Sequence, residues 1–196
     1  GTKHSFPTRR SSDLGEWTIP GCLEYADVLS FSGDKVLGGP QAGIILGKAD
    51  LVERMAKNPL HRALRIDKLA IASLGITLRL LAQGRHLEIP VLRMISEPAD
   101  EVKKRARRLK RLLTKTPSSI IPTRAVIGGG SAPTKNFPSW GVCITTEKAT
   151  GIHASLRKGN PAVVCRIEDD SLIFDMKTVD ASQIKDLAGK INEVFG

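Results

Sequence analysis

Two apolar runs of strand length, Asp27-Val-Leu-Ser-Phe-Ser32 and Ala42-Gly-Ile-Ile-Leu-Gly47, flank a loop that carries Gly33, Gly38, Gly39 and Pro40. Glycine and proline bend a chain, so the runs on either side predict two short buried strands with a turn between them. One lysine, Lys35, stands at the exit of the first run, beside Asp34 and ahead of the glycine pair. The block commits this region to a sheet that presents an amine on a tight connection.

Downstream, helix-like and strand-like segments alternate. Asp50, with Glu53 three residues on, has the form of a capping box for a helix through about Lys57, and Asn58-Pro59 ends it. From Arg62 to Gln83, residues such as Leu64, Leu69, Ile71, Leu74, Ile76 and Leu78 cover more than one helical face, which predicts one long, mostly buried helix. Pro90 and Pro98 flank a short segment. Asp100 is then expected to cap a helix with the apolar stripe Val102, Ala106, Leu109, Leu112 and Leu113, its remaining positions crowded with lysine and arginine. Residues 119–127, 140–145, 162–167 and 171–175 read as strands, and 152–158 and 181–194 as helices. Gly128-Gly-Gly-Ser131 and Asp169-Asp170 read as turns. The fold class is α/β, with residues 15–68 ending a larger domain, 69–94 connecting, and 95–196 forming a small α/β domain.

The chain has 196 residues and a formal net charge of +10. Residues His4–Leu14, HSFPTRRSSDL, are also the translation of a common short-read sequencing adapter, so residues 1–14 are expected to be an artefact and the native sequence to begin near Gly15. Lys3, Arg9 and Arg10 against Asp13 account for two of the positive charges, so the remainder stays basic. A basic surface favours a polyanionic partner such as RNA and says nothing about fold. The cations of the helix after Asp100 suit RNA phosphates, or equally a plain solvated face. Cys22, Cys143 and Cys165 are odd in number and widely spaced, which argues against a disulfide framework or a zinc site and for a reducing cytoplasm. No apolar run approaches the ~20 residues of a membrane-crossing helix.

Gly43-Ile-Ile-Leu-Gly47-Lys48 resembles a phosphate loop only superficially. It is one residue short of GxxxxGK, lacks the following Ser or Thr, and lies in an apolar run rather than before a helix. Lys48 is therefore expected at the surface. Lys35 differs in its neighbours: a lysine at a strand exit can reach a cofactor, and desolvation or nearby positive charge makes its amine nucleophilic. By periodicity alone it reads as an exposed turn lysine.

Specificity comes from the wider pattern. Ser30-Phe-Ser-Gly-Asp-Lys35, Leu37-Gly-Gly-Pro-Gln-Ala-Gly43, Pro59-Leu60, Arg62-Ala-Leu-Arg65 and Asp67-Lys68 together closely resemble the bacterial selenocysteine synthases, the L-seryl-tRNA(Sec) selenium transferases, which are fold-type-I pyridoxal-phosphate enzymes. The resemblance continues through Thr77-Leu-Arg79 and Pro90-Val-Leu-Arg93 and covers roughly residues 16 to 195. It implies the C-terminal remnant of a fold-type-I large domain followed by a small α/β domain. It implies that Lys35 carries pyridoxal 5'-phosphate and later removes the seryl α-proton, with Asp34 tuning the lysine or assisting the leaving hydroxyl. Gly38, Gly39 and Gln41 would shape the loop around the cofactor, and Arg62 and Arg65, at i and i+3 in the first turn of the long helix, would grip selenophosphate. The implied reaction converts seryl-tRNA(Sec) through dehydroalanyl-tRNA to selenocysteinyl-tRNA(Sec), in a homo-oligomeric ring of dimers.

Departures accompany the match. Cys165 and Asp169-Asp170 stand where the family usually has glycine and Asp-Gly, and Arg166 between them is expected to be structural. The resemblance implies that residues binding the cofactor phosphate, stacking on its ring and pairing with its pyridine nitrogen, and a tRNA-recognition domain, are to be expected upstream of this sequence. The chain alone is therefore expected neither to hold cofactor firmly nor to catalyse. Two other readings stay open: a related pyridoxal-phosphate lyase or transferase acting on a small amine, against which Arg62 and Arg65 argue, and a non-catalytic basic RNA-binding module.

Overall fold

The structure is a computed structural model that describes residues 18–128 and 136–196. The adapter-like stretch and Gly129–Ser131 lie outside the described residues. The chain divides into two compact units, one running to Ser96 with a segment from Ile127, the other comprising Glu97–Val126 and Asn136–Gly196.

In the first unit a short helix, α1 (Ile19–Leu23), precedes strands β1 (Val28–Ser32) and β2 (Gly43–Gly47). The strands pair antiparallel, Val28 opposite Gly47 and Ser32 opposite Gly43, so the Gly33–Ala42 loop closes a hairpin. Four helices follow: α2 (Ala49–Ala56), α3 (Pro59–Leu64), α4 (Lys68–Ala82) and, after a 3-10 turn at His86–Glu88, α5 (Pro90–Ser96).

Several expectations are corrected here. The predicted helix over 62–83 is two helices: Arg65 is extended, and the Asp67 carboxylate accepts hydrogen bonds from the Leu69 and Ala70 amides at 2.7 and 2.9 Å, starting α4 afresh. Nor is this region mostly buried, since Leu64 is 77% exposed and Leu69 83%. The strands are half-buried or exposed, and only Thr77 of α4 is buried. The Asp50–Glu53 capping box does not form. Lys48 is the N-cap of α2 and makes no side-chain cap bond, leaving Asp50 as a first-turn acid beside the positive end of the helix. The segment between Pro90 and Pro98 is helical, Pro90 fitting the first position because that N–H has no intrahelical partner.

The second unit holds the buried core. Helix α6 (Ala99–Leu112) leads into β3 (Ser119–Val126) and β4 (Asn136–Thr145), then α7 (Ala149–Lys158), β5 (Arg166–Glu168), β6 (Ser171–Asp175), a 3-10 turn at Met176–Thr178, and α8 (Ile184–Phe195). The four strands form one antiparallel sheet in the order β3-β4-β6-β5. Alternation sends Val142 and Ile144 of β4, with their partners Phe174 and Leu172 of β6, to one face. There they join Val102, Ala106 and Leu109 of α6, Leu156 of α7, and Ile184 and Ile191 of α8 in a single cluster. Leu109 is fully buried, so Leu109→Ala is expected to destabilise this unit by about 2–5 kcal/mol in urea unfolding, through lost transfer energy and the cavity left behind.

The opposite face of the sheet carries the buried Ile173 and a polar cluster. Thr123 and Ser139 donate to the two Asp175 carboxylate oxygens at 2.8 and 2.6 Å, linking β3, β4 and β6. Asp100 does not cap α6, whose N-cap is Pro98; Asp100 and Glu101 are first-turn acids instead. The unit is tied at its entry by Glu97, whose carboxylate accepts two hydrogen bonds from Arg105 while its carbonyl accepts one from the buried Lys177 ammonium at 2.8 Å. Burial pushes the Lys177 ammonium below the ordinary lysine range. Asp169 and Asp170 both have positive φ, as a two-residue hairpin turn between β5 and β6 requires.

Candidate active site

The Gly33–Ala42 loop is folded by its own backbone. The Gly33 amide donates to the Ala42 carbonyl at 2.8 Å, Gly38 to Lys35 at 3.0 Å, and Gly39 to Gly33 at 2.8 Å. Lys35 thus opens a tight turn whose far end, Gly38, has φ of +74°. A Cβ there would come within 2.5 Å of Ile89 and 2.6 Å of Val91. Gly39 likewise lies against Leu74 and Thr77 of α4. The glycines therefore bring the loop onto α4 and the start of α5, contacts that the glycine pair signals in the sequence without naming the partners. Gly38→Ala is expected to destabilise the first unit by about 1–3 kcal/mol, since strain and overpacking coincide. Gly84→Ala, at φ of +72° with nothing within 4 Å of the added Cβ, should cost less in the same unfolding measurement.

At the tip of this scaffold the Lys35 ammonium donates to the Asp34 carboxylate at 2.9 Å, with the two side chains 40% and 29% exposed. That hydrogen bond holds the Asp34 carboxyl below its usual range. Gln41 is exposed near the other end of the loop. Lys48, expected at the surface, is there, paired with Asp27 at 2.6 Å and well solvated. A lysine beside an acid is thus repeated at both ends of the hairpin, and the folded loop is what distinguishes Lys35.

Arg62 lies in the last turn of α3, and Arg65 is the extended residue that ends it. They are not in one helical turn, contrary to expectation. Both are exposed and neither forms an ion pair among the described residues, Asp67 being occupied as the cap of α4. Lys68 is the first residue of α4. The recorded hydrogen bonds and ion pairs join Lys35 to Asp34 and do not join it to Arg62 or Arg65. In the second unit Arg166 pairs with Glu168 at 3.0 Å and lies 3.6 Å from Asp175. Burial pushes the Cys165 thiol up to about 11. Among the described residues no group of His, Cys, Asp and Glu has the arrangement of a metal site, and no helix is long and apolar enough to cross a membrane.

The chain resembles in fold the solved structure of D-glucosaminate-6-phosphate ammonia-lyase: the TM-score is 0.55 at 18% identity, over 87% of this chain and 44% of that one. The family described as SelA, L-seryl-tRNA selenium transferase, matches residues 15–180, and the chain belongs to that family. The L-seryl-tRNA(Sec) selenium transferase of Aquifex aeolicus is 43% identical over 86% of this chain and 38% of its own length. Those of Moorella thermoacetica and Desulfovibrio desulfuricans are 43% and 42% identical over 89% and 92% of this chain. The chain spans 39% and 41% of the length of these two relatives.

Proposed function

We propose that this chain is the lysine-bearing part of an L-seryl-tRNA(Sec) selenium transferase that uses pyridoxal 5'-phosphate and selenophosphate. The observation that supports it most is Lys35, an accessible primary amine on a loop fixed by three backbone hydrogen bonds, in a chain of this family. A primary amine is the group that condenses with the aldehyde of pyridoxal phosphate, so the donor present fits the cofactor. When bound, the cofactor supplies an electron sink for the substrate α-carbon.

The chain's own residues do the rest. Lys35 Nζ would hold the cofactor and, as a free amine, would take the proton from the seryl α-carbon. The Asp34 carboxylate, kept ionised by its hydrogen bond, orients Nζ, which carries that proton on to the departing β-hydroxyl so that it leaves as water. Gly38 and Gly39 fix the loop, and Gln41, exposed at its other end, contributes to cofactor binding. Arg62 and Arg65, exposed and without acidic partners among the described residues, hold the selenophosphate oxygens, for which guanidinium forks are well matched. Residues 15–68 act as the end of the cofactor domain, 69–94 as the connection and 95–196 as the small domain. The acting unit is the complete enzyme, an oligomeric cytoplasmic protein, in which the exposed Leu64, Leu69 and Ile71 are covered.

The test is transfer of radiolabelled selenium from selenophosphate to seryl-tRNA(Sec) by the complete enzyme. Label recovered in selenocysteinyl-tRNA is the expected result; cofactor-loaded enzyme that leaves the seryl-tRNA unlabelled would sink the assignment.

A further inference from the structure

We propose that the groove between α6 and the edge strand β3 holds the phosphodiester backbone of an RNA. The proposal deepens the function above and rests on it for the tRNA nature of that RNA.

The cations of α6 are sorted by position. Arg105 and Arg108 are consumed within the unit, the first by Glu97 and the Met176 carbonyl, the second by the Ala181 carbonyl at 3.2 Å. Lys103, Lys104, Arg107, Lys110 and Arg111 fall elsewhere, within about 120° of the helix circumference at 3.6 residues per turn. Lys104, Arg107, Lys110 and Arg111 line an open groove of about 400 Å3 whose other wall is Ile120 of β3. Lys104 bonds to Glu101 at 2.6 Å, whereas Arg107, Lys110 and Arg111 are exposed and form no ion pair among the described residues. At the neighbouring strand the Lys103 ammonium lies 3.7 Å from the centre of the Trp140 ring. Strand alternation puts exposed Arg124 on the same face of β3 as Ile120, which lengthens the positive row.

Like charges held side by side repel, and an anion laid along them relieves that repulsion. The form of the site selects the anion. A free phosphate is bound by donors that converge on one point; here the cations run in a row along a helix, as successive phosphates of a strand require. Ile120 is the one apolar residue lining the groove, too little for the anchored core of a protein interface or for insertion into a lipid surface.

The experiment is fluorescence anisotropy of a labelled tRNA transcript with the full 196-residue chain, between about 50 and 200 mM salt, where binding through phosphates weakens steeply. Arg107→Gln/Lys110→Gln/Arg111→Gln should weaken binding at least 10-fold and reduce the slope of log affinity against log salt by about 2 to 3. Circular dichroism melting should match the parent chain; if it does not, the single exposed exchange Arg111→Glu carries the same comparison. No binding by the parent chain, an unchanged affinity and slope in the variants, or equal displacement of tRNA by polyglutamate or anionic vesicles would overturn the proposal. Selenium transfer by the complete enzyme is measured separately, so loss of one reading leaves the other standing.

Discussion

Exchange of Lys35 for alanine in the complete enzyme is expected to lower selenium transfer by about 1,000-fold or more and to abolish the visible absorbance of lysine-bound cofactor. The size follows from two roles lost together, the amine that holds the cofactor and the base that moves the α-proton, each alone contributing a factor of 100 or more. Stability should not change, because Lys35 is exposed and its recorded side-chain partner is the adjacent Asp34. Lys35→Arg should fail equally, since a guanidinium keeps the charge and cannot act as the amine. Asp34→Asn should retain the absorbance and lose less activity, because it preserves a hydrogen-bond acceptor and removes only the charge. An ordinary turn lysine would leave both absorbance and rate untouched in every one of these variants.

The second large effect concerns the arginines. Arg62→Ala and Arg65→Ala should each raise the KM for selenophosphate about 10-fold or more, and the double variant about 100-fold or more. A hydrogen bond to a charged partner contributes about 1.5–3 kcal/mol, and about 1.4 kcal/mol is a factor of ten. The cofactor absorbance and the KM for seryl-tRNA should stay at parent values. Neither side chain has an ion-pair partner among the described residues to leave stranded, so the fold should tolerate both exchanges. A rise confined to the KM for seryl-tRNA would assign the arginines to the other substrate.

The hairpin was legible because its signals are local. Apolar runs of strand length and a glycine-proline loop place β1 and β2 to within a residue, and the sheet strands at 119 and 171 start where the alternation begins. The errors arise where two local signals compete. Leucines on more than one face of the segment 62–83 concealed the stop at Arg65, although Asp67 ahead of Lys68-Leu69-Ala70 is itself an N-cap signal. Asp50 lost its capping role because the Lys48 amide is already bonded to the Asp27 carbonyl, which closes the hairpin and starts α2 at once. The run 162–167 is strand only from Arg166, because the Val163 amide is drawn to the Leu156 carbonyl, sealing the end of α7. Burial was least legible of all. The exposed leucines of α3 and α4 look like core residues by type, and only the three-dimensional structure shows that nothing among the described residues covers them.

The candidate residues came from the family resemblance, and their arrangement was not legible. That resemblance singled out Lys35, Asp34, Arg62 and Arg65, but the placement of the arginines at the end of α3, rather than in the first turn of one long helix, goes with the fresh start of α4 at the Asp67 cap. The contacts of Gly38 with Ile89 and Val91 join residues about fifty positions apart, beyond any local pattern.

The central claim is that Lys35 is the amine that carries pyridoxal phosphate. Borohydride reduction of the cofactor-loaded complete enzyme, followed by proteolysis and mass spectrometry, locates that amine directly. The pyridoxyl-phosphate mass is expected on the peptide containing Lys35 and absent from the one containing Lys48, whose ammonium is tied to Asp27 in an exposed pair. Label on Lys48 or on another lysine, with Lys35 recovered unmodified, would contradict it.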